Sequence, residues 1–124
     1  MVFGIGTDII EVERVEALLA RGKEHVETIF TPDEAAYCDA KARKAEHYAA
    51  RFAAKEAVLK AIGTGWRDGF AFRDVEIRND ALGRPQVIPH GKVKEFLDHH
   101  RVTRMAISLT HAGGLAIAVA ILEQ

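Results

Sequence analysis

Apolar and polar positions alternate with a period of two at both ends of the chain and follow a helical period between them. At the N-terminal end, Val2 to Thr7 reads as a strand. Phe3, Ile5 and Thr7 share one face, while Gly4, Gly6 and Asp8 share the other, which leaves room for a close neighbour. Val12, Val15 and Leu19 then fall at helical spacing within Glu11 to Arg21, and Gly22 follows as a stop. A second helix opens after Phe30: Thr31 caps, Pro32 suits the first turn, and Asp33 and Glu34 sit at the positive end of the helix dipole. Its pattern carries on to about Lys44. A third helix covers Ala45 to Ile62 and ends in the glycine-rich loop GTGWRDG, Gly63 to Gly69, with Trp66 as a candidate lid or interface residue. Short strands are expected at Phe72 to Arg78 and Gln86 to Ile88, either side of the turn NDALGRP, and a further helix at Gly91 to His100.

The last third reads as a hairpin, RMAISLT and LAIAVAIL joined through HAGG. Ala116, Ala118 and Ala120 alternate with Ile117, Val119 and Ile121, so this strand is expected to be covered on both faces, with a helix or another subunit close against the alanines. The elements together predict an α+β fold, a mainly antiparallel sheet packed against helices. With 124 residues and 48% hydrophobic content, the whole of 1–124 fits one domain with a real core.

A formal net charge of -1 argues against a general nucleic-acid or membrane-surface binder, so electrostatic recognition has to be local. One cysteine, Cys38, permits no internal disulfide, and the longest apolar run, Leu115 to Leu122, is too short to span a bilayer. With no charged leader at the start, the expectation is a soluble, cytoplasmic protein.

Chemistry enters through Glu56, a carboxylate on the same helical arc as Ala49 and Phe52, where burial is costly unless a cation meets it. Asp8 ends a strand on its glycine face, and two facing carboxylates want a metal or a shared proton. So small a set of oxygen ligands suits Mg²⁺, which completes its shell with water and substrate phosphates. Lys60, one turn beyond Glu56, is placed to meet such a phosphate, the alternative being an ordinary surface Glu-Lys pair. On the first helix, Arg14, Leu18 and Arg21 form a stripe offset from the core face. A cationic stripe around a leucine suits an acidic helix on a partner, and a solvated helix edge is the alternative.

Four stretches, FGIGTDIIEVERV, FTPDEAAYC, RFAAKEAVLKAIGTG and ISLTHAGGLAIAVAI, resemble the holo-acyl-carrier-protein synthases, the small bacterial class of 4′-phosphopantetheinyl transferases. The resemblance spans the chain in order. Its most specific parts are the GIGTD start and the spaced set Phe52, Lys55, Glu56, Ala57 and Lys60. It implies Mg²⁺-dependent transfer of the phosphopantetheine arm of coenzyme A to a serine of an apo acyl carrier protein, in support of fatty acid biosynthesis. Asp8 and Glu56 would be the metal ligands and, with Lys60, the catalytic set. Coenzyme A would be met by Arg43, Arg51, Lys60, Gly63, Pro85 and His111, and the carrier protein by Arg14, Leu18 and Arg21. His111 is open between a coenzyme A contact and a structural turn histidine, and Arg43 between phosphate contact and solvated charge. The resemblance also implies a homotrimer with active sites between subunits. Two rival readings use the same residues: a Mg²⁺-dependent nucleotide phosphohydrolase and a non-catalytic coenzyme A binding module.

Overall fold

The computed structural model describes residues 1–63 and 69–124, so the expectations for Trp66 and most of the glycine-rich loop fall outside the described residues. The elements run β1 (Val2–Glu11), α1 (Val12–Leu19), α2 (Lys23–Glu27), α3 (Pro32–Asp39), α4 (Lys44–Ile62), β2 (Val75–Asn79), β3 (Pro85–Pro89), α5 (Gly91–His99), β4 (Arg104–Ala112) and β5 (Leu115–Glu123). Strands β1, β5 and β4 form one antiparallel sheet in that order, and β2 and β3 form a second antiparallel pair.

The long helix α4 lies across the three-stranded sheet, and the two glycines of β1 explain how closely. A β-carbon at Gly6 would overlap the carbonyl oxygen of Ala57, and one at Gly4 that of Ala61. Only glycine permits this approach. Ala116, Ala118, Ala120 and Leu122 of β5 are fully buried, and their register against Ile10, Asp8, Gly6 and Gly4 puts them on the same face. The alanine side is thus covered by a helix of the same chain, and a subunit is not needed there. The opposite face is apolar and open: Ile5 is 63% exposed, Ile9 58% and Ile117 39%.

Several boundaries differ from the sequence pattern, each for a tertiary reason. β1 continues to Glu11, beyond the expected end at Thr7, because β5 pairs with it along its whole length. Helix α2 was not expected at all; none of its five residues is buried, so it has no apolar period to read. Thr31 and Glu34 make the reciprocal capping box expected at the start of α3, but that helix stops at Asp39. There the Tyr48 hydroxyl donates to the Asp39 carboxylate, and α4 starts in a new direction at Lys44. Residues Phe72–Asp74 form a 3₁₀ turn where a strand was expected. The Lys55 ammonium donates to the carbonyls of Phe72 and Val75 and holds that turn against α4.

Candidate active site

The fit of β1 on α4 sets the position of Asp8. Gly4 meets Ala61 and Gly6 meets Ala57, so β1 runs back along the helix with Asp8 on the same face, where Lys60 reaches it and its charge acts on Glu56. The Lys60 ammonium donates to Asp8 Oδ1 at 3.0 Å and to the Thr7 carbonyl at 3.0 Å. The lysine expected over Glu56 therefore bridges instead to the strand. Burial first, and the Asp8 carboxylate second, raise the Glu56 pKa above the usual carboxylate value, and Lys60 pulls only partly the other way.

Two carboxylates against one exposed ammonium leave the cluster short of positive charge, so the protein alone supplies only part of the cation that Glu56 calls for. Hard oxygen donors short of positive charge fit a divalent cation such as Mg²⁺. Among the described residues no group of three or more His, Cys, Asp or Glu forms a metal cage, so such an ion would take its remaining ligands from water and phosphate.

A second cluster occupies the N-terminal half of α4. Arg51 is 3% exposed, its guanidinium lies 4.0 Å from the centre of the Tyr37 ring, and its Nε has no hydrogen-bond partner among the described residues. Tyr37, Arg51, Arg78 and Asn79, with the carboxylates Asp33 and Asp80, help line a cavity of about 560 Å³ that runs under the β2–β3 turn and reaches Gly83. Pro85 follows as the first residue of β3, half-buried. His111 of β4 faces the start of α4, with Nδ1 3.4 Å from Glu46, and Arg43 reaches the same carboxylate at 3.7 Å. Gly63 ends α4 in the left-handed region, with φ of 89°. Arg14 and Leu18 of α1 and Arg21, which lies in the turn past the helix end at Leu19 and so outside the expected helical stripe, line one depression of about 310 Å³.

Sequence reasoning missed two features. Glu34 and Lys55 form a fully buried ion pair at 2.8 Å. His47 and Tyr37 stand between Arg51 and His111, with the two imidazole centres 6.2 Å apart. Glu34 was legible as a cap and Lys55 as part of a spaced motif, but nothing local announced their contact.

The model of the 4′-phosphopantetheinyl transferase superfamily matches residues 4–120. A holo-[acyl-carrier-protein] synthase of Geobacter sulfurreducens is 45% identical over 125 aligned positions, covering 100% of this chain and 99% of the relative. Among solved structures, the holo-[acyl-carrier-protein] synthase of Neisseria meningitidis superposes with a TM-score of 0.90 at 33% identity, covering 100% of both chains. That of Bacillus anthracis, in complex with CoA (3′,5′-ADP), gives 0.80 at 35% identity, covering 98% of this chain and 96% of that one.

Proposed function

The chain belongs to the 4′-phosphopantetheinyl transferase superfamily, and from that premise we propose how its residues divide the work of the reaction. It is a transferase that moves the 4′-phosphopantetheine group of coenzyme A to a serine of an apo acyl carrier protein, leaving adenosine 3′,5′-bisphosphate. The serine oxygen bonds to the pantetheine-side phosphorus as the bond to the bridging pyrophosphate oxygen breaks, and the hydroxyl proton is released. Such a step asks little covalent chemistry of the protein and much alignment and charge neutralisation.

The observation that carries the assignment of roles is the convergence of Asp8, Glu56 and Lys60 at the β1–α4 seam. Asp8 and Glu56 would hold Mg²⁺, which when bound neutralises pyrophosphate charge. Lys60, 55% exposed and fixed by the Thr7 carbonyl, is free to offer its remaining donor to the departing phosphate. The buried guanidinium of Arg51, which forms no ion pair among the described residues, and the cavity beneath the β2–β3 turn support a nucleotide site, with His111, Arg43, Gly63 and Pro85 around it. The depression between Arg14, Leu18 and Arg21 supports docking of an acidic carrier helix. We place this unit in the cytoplasm, serving fatty acid biosynthesis, as a homotrimer whose number follows the resemblance and whose contact is the open sheet face. Among the described residues no helix is long and apolar enough to cross a membrane.

The test is the intact mass of an apo acyl carrier protein after incubation with the protein, coenzyme A and Mg²⁺. One added phosphopantetheine group is expected, and none with Glu56→Gln or with a chelator. Modification that persists in Glu56→Gln at the wild-type rate would remove Glu56 from the metal site. Nucleotide or phosphate released without carrier modification would favour the hydrolase.

A further inference from the structure

His47 lies one helical turn before Arg51 on α4, and Arg43 caps the start of the same helix. Four charged or titratable groups surround His47, from three places in the fold. Arg51 follows on α4, Lys41 sits in the α3–α4 connection, His111 approaches from β4, and Glu46 precedes it. Tyr37 of α3 completes the set: its ring has the Lys41 ammonium 4.7 Å from its centre and the Arg51 guanidinium 4.0 Å, and it meets the His47 ring edge-on at 6.0 Å. The carboxylate acting on His47 is Glu46, which Arg43 and His111 already share, while the two on the Arg51 side are engaged elsewhere: Asp33 pairs with Arg78 at 3.1 Å and Asp80 accepts from the backbone of its own turn.

The site is built for an anion that is not part of the chain. Arg51 is almost completely buried without a carboxylate partner among the described residues, and its Nε is unsatisfied. Neither ring nitrogen of His47 has a hydrogen-bond partner among the described residues, so both are available. A buried cation without a counter-ion is costly, and an arriving anion removes that cost.

We propose that His47 takes up a proton when coenzyme A binds and that its imidazolium then contacts the 3′-phosphate. This rests on the transferase reading above. The monoester is the group to expect here, because the pyrophosphate is claimed by the carboxylate and lysine cluster near the other end of α4. In the free protein, burial first and then the charges of Lys41 and Arg51 and the neighbouring His111 hold His47 below its ordinary pKa, with Glu46 pulling the other way. The imidazole is therefore neutral at pH 7. A phosphomonoester carries nearly two negative charges at that pH and reverses the local field. The proton comes from solvent.

The sign follows from linkage. Between the free and bound pKa of His47 the complex holds more protons than the free protein, so affinity for the 3′-phosphate falls as pH rises through that window. Above the bound pKa the dependence ends. The ligand's own second ionisation is common to all variants and cancels in their comparison.

The experiment is calorimetric titration of the whole protein with adenosine 3′,5′-bisphosphate in two buffers of different ionisation enthalpy, with adenosine 5′-phosphate as the ligand lacking the 3′ group. His47→Phe keeps a ring against Tyr37, and His47→Lys supplies a permanent charge. At pH 7 the wild type is expected to take up a larger fraction of a proton than His47→Phe with the bisphosphate, and no more than it with the monophosphate. At pH 6 the phenylalanine variant should bind the bisphosphate about tenfold more weakly, the scale of one charged hydrogen bond, and the gap should narrow by pH 8. His47→Lys should bind tightly at both pH values. Equal proton uptake and parallel pH dependence in wild type and His47→Phe would overturn the role of His47 while leaving the transferase intact. No binding of the bisphosphate to any of the three proteins would overturn the nucleotide site along with it.

Discussion

Glu56 illustrates how much a single side chain can tell. A carboxylate on an apolar helical arc is conspicuous in the sequence because it is expensive there, and the structure places it in a seam where Asp8 adds to that cost and Lys60 offsets only part of it. Its raised pKa has a measurable consequence for the metal-free protein. A carboxylate whose native pKa lies above its unfolded value holds a proton more readily when folded, so its penalty is absent below the unfolded value near 4.5 and complete once pH exceeds the native one. Glu56→Gln is therefore expected to raise the melting temperature of the chelator-treated protein at pH 7 to 8. That advantage should shrink steadily as the pH is lowered towards 4.5, while phosphopantetheine transfer is lost throughout. A melting temperature lowered by the substitution at pH 8 would show that Glu56 is already compensated without a metal. His47 lies at the other extreme of legibility. Its cations come from Lys41, Arg51 and His111, which only folding gathers around it.

Helix α4 owes its place to the residues it cannot do without. Its alanines and the glycines of β1 set the distance to the sheet, and the Lys55–Glu34 pair ties it to α3 and β2. Glu34 accepts from the backbone N–H of Thr31 at 2.9 Å and of Ile77 at 2.8 Å, so one carboxylate joins a helix cap, a strand and the lysine. Lys55 spends its other donors on Phe72 and Val75. Removing one partner of a fully buried pair leaves an uncompensated charge, which costs about 3–5 kcal/mol, whereas removing both is milder. Lys55→Met should accordingly lose about that much in urea unfolding. Adding Glu34→Gln should recover part of the loss, giving a coupling between the two sites of the sign expected for residues in contact. Strictly additive losses would mean that the two side chains do not stabilise each other. The capping box of α3 was readable from Thr31, Pro32 and Glu34 because all its partners lie within one turn. The end of α3 was not, because it depends on Tyr48, nine residues past Asp39.

At the scale of the whole molecule, the sheet is finished on one side only. Its inner face is filled by α4, and its outer face carries Ile5, Ile9 and Ile117, with Ile9 and Ile117 directly paired across β1 and β5. An apolar patch on an open sheet face is the kind of surface that identical subunits cover. Ile117→Glu places a charge at its centre. The wild type is expected to sediment as three chains of 13.7 kDa and the variant as one, with transfer activity falling alongside. A wild type that sediments as a monomer at micromolar concentration would remove the proposed trimer.

The sequence by itself determined the fold class, most of the elements and the candidate catalytic residues. Periodicity, caps and a carboxylate in the wrong place are local facts, written within a few residues of where they act. The tertiary structure decided which face of β5 meets α4, that Lys60 reaches Asp8 and not Glu56, that Lys55 is buried against Glu34, and that His47 stands among cations. Each of these joins groups that are 21 or more positions apart or drawn from several elements, and no local pattern encodes a contact whose two halves are brought together only by the packing of a helix on a sheet.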